Sequence, residues 1–239
     1  MINKKTISIV LSLAVIFIGG WWAIYRNNPD ANSSKTSADI VGESSVTTDS
    51  QKTPFTGSGS YILNTEKSIA DWEAKKPLIS GYVDKGEISI KNGELMMLDG
   101  LAVSGNFTMD MNSISVESTG RGSGESSLAK HLKSKDFFDA EKYPTAGFKI
   151  EKSEKGSAAG SVIIFGELTI KGITKPISFP AEIYTKDGVL RAGAIIELDR
   201  TEWDIRYASG KFFKSIGDNL IDDKFSVGLD LSADPAVKQ

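Results

Sequence analysis

Residues 161–198 read SVIIFGELTIKGITKPISFPAEIYTKDGVLRAGAIIEL. Apolar side chains recur there at every second position. Val162, Ile164, Leu168 and Ile170 share one parity, with Gly166 between them. Ile177, Phe179, Ala181 and Ile183 repeat the pattern, and Leu190, Ala192, Ala194, Ile196 and Leu198 form an unbroken apolar row. A period of two belongs to strands with one buried face. Asp187-Gly188 separates two of these runs and suits a type I′ turn, where φ is positive at both central positions. Consecutive hairpins argue for an antiparallel arrangement rather than βαβ units.

The alternation continues at the C-terminal end, where Phe225, Val227, Leu229 and Leu231 interleave with Ser226, Gly228, Asp230 and Ser232. Asn92-Gly93, after residues 87–91, suggests another hairpin turn. In residues 105–118 the apolar parity changes, from Phe107, Met109 and Met111 to Ile114 and Val116. That change predicts a bulge or strand break near Asn112-Ser113. One helix is expected, capped by Ser127, carrying Leu128 and Leu132 on one face and ending near Lys135. Tyr143-Pro144 then forces extended backbone. The pattern predicts an all-β fold of about eight antiparallel strands, the size at which a closed barrel can hold one small ligand. A filled β-sandwich is the alternative.

The chain has 239 residues, a net charge of −3 and no cysteine. Near-neutral charge gives no sign of a nucleic-acid partner. Without cysteine there is no thiolate metal site, no cysteine nucleophile and no lipoprotein acyl anchor. Lys4 and Lys5 precede an uncharged apolar run over residues 7–25 (ISIVLSLAVIFIGGWWAIY). As a helix that run would span roughly 28 Å, close to the thickness of a bilayer core. Trp21, Trp22 and Tyr25 lie at its far end, where amphipathic rings favour the headgroup level. The expected plan is a transmembrane anchor or uncleaved signal over 1–26, a disordered linker over 27–58 and a barrel over 59–239. The charge bias of the anchor places the barrel in the periplasm or outside the cell. A cleaved signal and a secreted protein are the alternative, although Trp21 and Trp22 occupy the place of a cleavage site. The linker is rich in Asn, Ser, Thr and Asp, and such a coil separates its ends by roughly 30 Å.

Catalytic chemistry finds little footing. His131 is the only histidine, and no G-x-S-x-G elbow accompanies it. Asp136, Asp139 and Glu141 read as capping and solvation between helix and strand rather than as an acid/base pair. Asp218, Asp222 and Asp223 offer oxygen ligands, but their spacing is not that of a calcium loop. The expectation is no enzyme, no cofactor and no metal.

Two blocks carry a family resemblance. The first comprises His131-Leu132-Lys133, Asp136-Phe137-Phe138-Asp139, Lys142-Tyr143-Pro144 and Phe148. The second comprises Gly166, Leu168-Thr169-Ile170, Gly172, Thr174-Lys175 and Phe179, and Asp199-Arg200 with Trp203 follow in order. Over roughly residues 61–233 the chain resembles the YceI family of lipocalin-like secreted bacterial proteins. The resemblance implies an elongated apolar pore holding a polyprenyl or quinone-type isoprenoid chain. Phe137, Phe138, Tyr143, Phe148, Leu168, Ile170 and Phe179 are the candidate ligand-binding residues. Lys133, Lys135 and Lys175 are candidates for a headgroup at the mouth. Residues 208–223 look like an insertion before the last strand. The expected function is a membrane-tethered protein that sequesters or shuttles an isoprenoid or other long-chain lipid. A ligand-free, stress-linked interaction module and an enzyme acting on a lipid are the rivals.

Overall fold

A computed structural model describes residues 52–214 and 216–236. The expected anchor over 1–26 and most of the expected linker lie outside the described residues. Eleven strands form one antiparallel sheet. They are β1 (Thr53–Pro54), β2 (Gly59–Leu63), β3 (Ile69–Lys75), β4 (Val83–Ile88), β5 (Ile90–Leu98), β6 (Leu101–Asp110), β7 (Thr145–Lys155), β8 (Ser161–Ile170), β9 (Ile173–Lys186), β10 (Val189–Asp199) and β11 (Lys224–Pro235). Helix α1 (Glu125–Lys133) stands between β6 and β7.

The sheet closes on itself. β5 to β11 pair in sequence, and β11 pairs back to β2 and β3 along different parts of its length. β2 and β3 are therefore one interrupted strand, and so are β4 and β5, which pair with them. Counted this way the barrel has 8 strands, as the sequence pattern predicts. The interruption at residues 64–68 is pinned to β11. Asn64 N donates to Ser232 O at 2.8 Å, and Ser68 Oγ accepts from Ser232 N at 3.0 Å.

Local chemistry sets the turns. Asp99-Gly100, Lys171-Gly172 and Asp187-Gly188 all have positive φ at both residues, the signature of type I′ hairpins. The turn expected at Asn92-Gly93 does not form: both residues lie inside β5, opposite Thr108 and Phe107. Gly93 is needed there for space, since a Cβ would approach Leu63 Cδ1 to 2.5 Å and Phe107 Cδ1 to 2.8 Å. The reversal comes later, at Asp99-Gly100. The strand break expected near Asn112-Ser113 is present as a 3-10 turn over Met111–Ser113. Helix α1 starts earlier than expected. Gly124, at φ 93°, is its N-cap and Ser127 lies in its first turn. Its last turn carries Lys130, His131 and Lys133, which suit the negative end of the helix dipole. β1 falls within the expected linker; it pairs with Thr185 and Tyr184, and Phe55 packs edge-on against Tyr61 at 5.7 Å.

The parity rows point as expected. Along β8 every even residue from Val162 to Ile170 is buried. Gly166 belongs to that row, and a Cβ there would meet Lys149 O at 2.2 Å and Phe148 Cζ at 2.7 Å. Backbone cannot yield as a flexible side chain can. Gly166→Ala is expected to destabilise the fold by about 1–3 kcal/mol through overpacking, read as a lower midpoint in urea unfolding.

Candidate functional site: an apolar pore along the barrel

Two core clusters fill the two ends of the barrel. One holds Leu63, Leu95, Met97, Ala102, Ile183 and Leu190, together with Ala233 near the end of β11. The other holds Met111, Phe137, Ile170, Leu198, Trp203 and Ile205, beneath α1. Phe148, Ile177, Ile196 and Leu229 touch both clusters and are only partly buried. Ala192, Ala194 and Leu231, on the same inward rows, are also only half-buried. Inward side chains that remain accessible face a void. That void is a pore of about 1260 Å³, including its open part, lined by inward rows of β5 to β11.

Its wall is apolar. Arg191 is the only charged residue along it among the described residues. By strand parity its side chain points outward, where its guanidinium meets Asp230 at 3.4 Å. Small residues make the space: Ala181 on β9 faces Ala194 on β10, and Ala192 lies beside them. Leaving such a surface in contact with water is unfavourable, so the pore favours an apolar occupant.

A second cavity of about 550 Å³ adjoins it under α1. Ile88, Phe138 and Phe225 line both spaces, so these side chains stand at the junction. Among the predicted ligand-binding residues, Phe138, Phe148, Leu168, Ile170 and Phe179 line the pore. Phe137 lines the second cavity instead. It packs against His131 at 4.9 Å and Tyr207 at 5.2 Å. Tyr143 is outside both spaces. It lies against the Lys171-Gly172 turn, where a Cβ on Gly172 would be 3.1 Å from its ring. The alanines of β9 and β10 were not singled out from sequence. Their signal is small apolar residues repeated on an inward strand face, where a packed core would place larger ones.

The polar groups near the pore's α1 end serve structure. His131 Nε2 and Asp136 Oδ2 are 3.0 Å apart, and His131 also stacks edge-on against Tyr207 at 4.7 Å. Lys175 is paired with Glu202 at 3.3 Å. Trp203, on a 3-10 turn over Arg200–Trp203, donates from its indole to Leu168 O at 3.3 Å. Arg200 is buried and donates to the carbonyls of Ile205, Tyr207, Ile221 and Asp222 and to the Asp223 carboxylate. It thereby fixes the segment expected to be an insertion against the barrel. Burial pushes its pKa down, while Asp223, Asp199 and Asp222 oppose that. Burial alone would raise Asp199, but hydrogen bonds from Lys211 and Thr201 hold its carboxyl below the usual range. Asp223 is engaged by Arg200 and Lys211, and Asp222 accepts from Lys224 N. Among the described residues no three His, Cys, Asp or Glu side chains gather as metal ligands.

A family model described as "YceI-like domain" matches residues 61–233. A UPF0312 protein of Vibrio parahaemolyticus is 39% identical over 87 residues, covering 33% of this chain and 45% of the relative. A UPF0312 protein of Vibrio cholerae is 30% identical over 131 residues, covering 54% of this chain and 66% of the relative. The match thus spans about half the length of the first of these curated relatives. The crystal structure of Burkholderia cenocepacia BcnA is similar with a TM-score of 0.56 at 18% identity, covering 72% of this chain and 99% of that one. A polyisoprenoid binding domain from Saccharophagus degradans, implicated in plant cell wall breakdown, gives a TM-score of 0.55 at 12% identity, covering 74% and 98%. At these identities the likeness is one of fold. With the domain match running from the first full barrel strand to the last, the chain belongs to the YceI-like domain family.

Proposed function

We propose that this protein is a membrane-tethered, extracytoplasmic container for a long apolar lipid of the polyprenyl or quinone type. It sequesters or shuttles that lipid and performs no covalent chemistry. The observation that carries the reading is the pore, whose inward-facing lining is apolar along the barrel. The structural neighbour whose title names polyisoprenoid binding supports it. A ligand-free module would gain stability from filling that space, and the alanines of β9 and β10 leave it open.

Energetics define the delivery step. Burial is worth about 0.8 kcal/mol per CH₂, hence about 4 kcal/mol for each five-carbon isoprenoid unit. A chain of several units does not escape into water on a useful timescale. Release is handoff to a bilayer or to a partner. In this reading a tether ending ahead of β1, with an anchor before it, keeps the barrel near such an acceptor.

The test is extraction of the full chain from its native membrane, followed by mass spectrometry of co-purified lipid and titration with polyprenols and quinones. The expected result is one long-chain isoprenoid per barrel. Several native preparations without lipid, together with no binding of added polyprenols or quinones, would overturn the reading.

A further inference from the structure

The barrel is not hydrogen-bonded all the way round. β9 and β10 pair from Lys186/Val189 as far as Ala181/Ala194, and their register ends there. Beyond that point β9 runs on to Ile173 paired only with β8. β10 runs on to Asp199 paired only with β11. Residues 173–180 and 195–199 are therefore neighbours without a ladder between them.

Two prolines account for the split. Pro176 and Pro180 lie on β9 opposite Glu167 and Ile163, in a register with β8 that has no shift. Proline has no N–H and is tolerated in a strand only where no neighbour needs that donor. In an antiparallel ladder the backbone polar groups of alternate residues face alternate sides. Residues 176, 178 and 180 therefore all turn their polar groups away from β8, toward β10. Two of those three positions have no donor to offer. The sequence itself prevents β9 from zipping to β10.

The split opens on the pore. Ile177, Phe179 and Ile196, which flank it, line the pore wall. Ile177 and Ile196 are only half-buried. On the outer face Pro176 and Pro180 are exposed, and Ile195 is 47% exposed. The Ala181/Ala194 pair bounds this window at one end. The Lys175–Glu202 ion pair, at 3.3 Å, bounds it at the other. The five β9 residues between these limits, 176–180, span about 16 Å. Toward the barrel ends, by contrast, the side chains are buried: Leu63 and Met97 at one, Trp203 and Ile205 at the other.

We propose that the lipid chain enters and leaves the pore sideways, through this window between β9 and β10. The inference rests on the container reading above and specifies its route. Passage through an end requires buried core to move. Passage through the window breaks no ladder bond and keeps the chain against apolar side chains from the outer rim to the pore wall.

The chain has no cysteine, so a thiol pair can be placed across the window without competition. Ser178 and Glu197 are both exposed and flank it from the two strands. Full-length Ser178→Cys/Glu197→Cys protein is closed with a short reversible bis-thiosulfonate cross-linker and mixed with phosphatidylcholine vesicles carrying a fluorescent polyprenol. Loading is expected to slow by at least about tenfold, a modest rise in barrier, and to recover on reduction. The control is Lys149→Cys/Glu167→Cys, which bridges the ladder-paired β7 and β8 and is expected to load normally when cross-linked. Unchanged loading by the window-closed protein, or equal slowing of the control, overturns the lateral route. Failure of the uncross-linked protein to take up polyprenol overturns the container reading instead, and the route with it.

Discussion

Ala194→Trp is expected to abolish loading of long-chain isoprenoids while the barrel remains folded. Ala194 sits on β10 opposite Ala181 of β9 and Leu229 of β11. Its Cβ faces the pore at mid-length, between Ala192 and Ile196. An indole there enters free space rather than a packed core, so the overpacking cost stays at the low end of about 1–3 kcal/mol. Its aromatic surface is itself buried, which offsets part of that cost. The pore is then divided, and a chain that needs its full length loses the burial of several methylenes at about 0.8 kcal/mol each. Loss of three such groups already lowers affinity by well over tenfold. The measurement is a binding titration with polyprenols of increasing length beside a thermal unfolding curve. Short chains are expected to keep more of their affinity than long ones. Glu182→Trp, outward and exposed on β9, is the control expected to bind normally. Equal affinity of Ala194→Trp for long chains would show that the pore is not the binding site.

The inward rows of β8 to β11 were readable from sequence because their burial is one-sided. A period of two leaves little choice of register once one face must be dry. Asn92-Gly93 misled for the opposite reason. Its local turn propensity is real, but Leu63 and Phe107 close over Gly93 and claim it for packing. The turn that forms is Asp99-Gly100, between Leu98 and Leu101, with positive φ at both residues. The helix start was missed because Gly124 caps through its backbone conformation rather than a side chain.

The site was legible in a similar, partial way. Aromatic residues suit a pore wall by their size and apolarity, and Phe138, Phe148 and Phe179 are there. The space itself comes from alanines, which carry no chemical signal and were read only as members of an apolar row. Tyr143 belongs to the same sequence block as Phe138 yet lies outside, where its N–H closes a turn onto Asp139 O before β7 begins. The window between β9 and β10 was written in Pro176 and Pro180. Its meaning depends on which strand lies beside β9, and that is known only once the barrel closes. Arg200 shows the same dependence. Its neighbours in sequence form a motif, whereas all five of these acceptors come from a segment that folds back over residues 205–223.

That dependence makes Arg200→Met the substitution expected to cost most in stability. The Arg200 side chain is 5% exposed. Nε donates to Asp222 O at 2.9 Å, and Nη1 donates to Ile205 O at 3.0 Å and Tyr207 O at 2.7 Å. Nη2 donates to Ile221 O at 3.1 Å and Asp223 Oδ1 at 3.3 Å. Methionine keeps much of the apolar stem but leaves these acceptors without their donor, and leaves Asp223 with a weakened counter-charge. Breaking a buried ion pair by removing one partner costs about 3–5 kcal/mol. Lysine does not rescue it, because a single ammonium cannot reach acceptors spread around a planar fork. Arg200→Lys is therefore expected to retain less than half of the lost stability, about 1–2 kcal/mol. Urea unfolding gives the total. Hydrogen exchange gives the location: amides of Ile205 and Ile221, which bond to Arg200 O and Ala208 O, should lose protection before those of β8. The lining of the second cavity includes Ile205 and Ile221, so the same substitution should loosen the α1 end of the pore. Long chains that extend past Phe138 should then dissociate faster, while short chains held near Ala194 should not. A variant that unfolded at the wild-type urea midpoint would show that the segment is held by its apolar contacts alone.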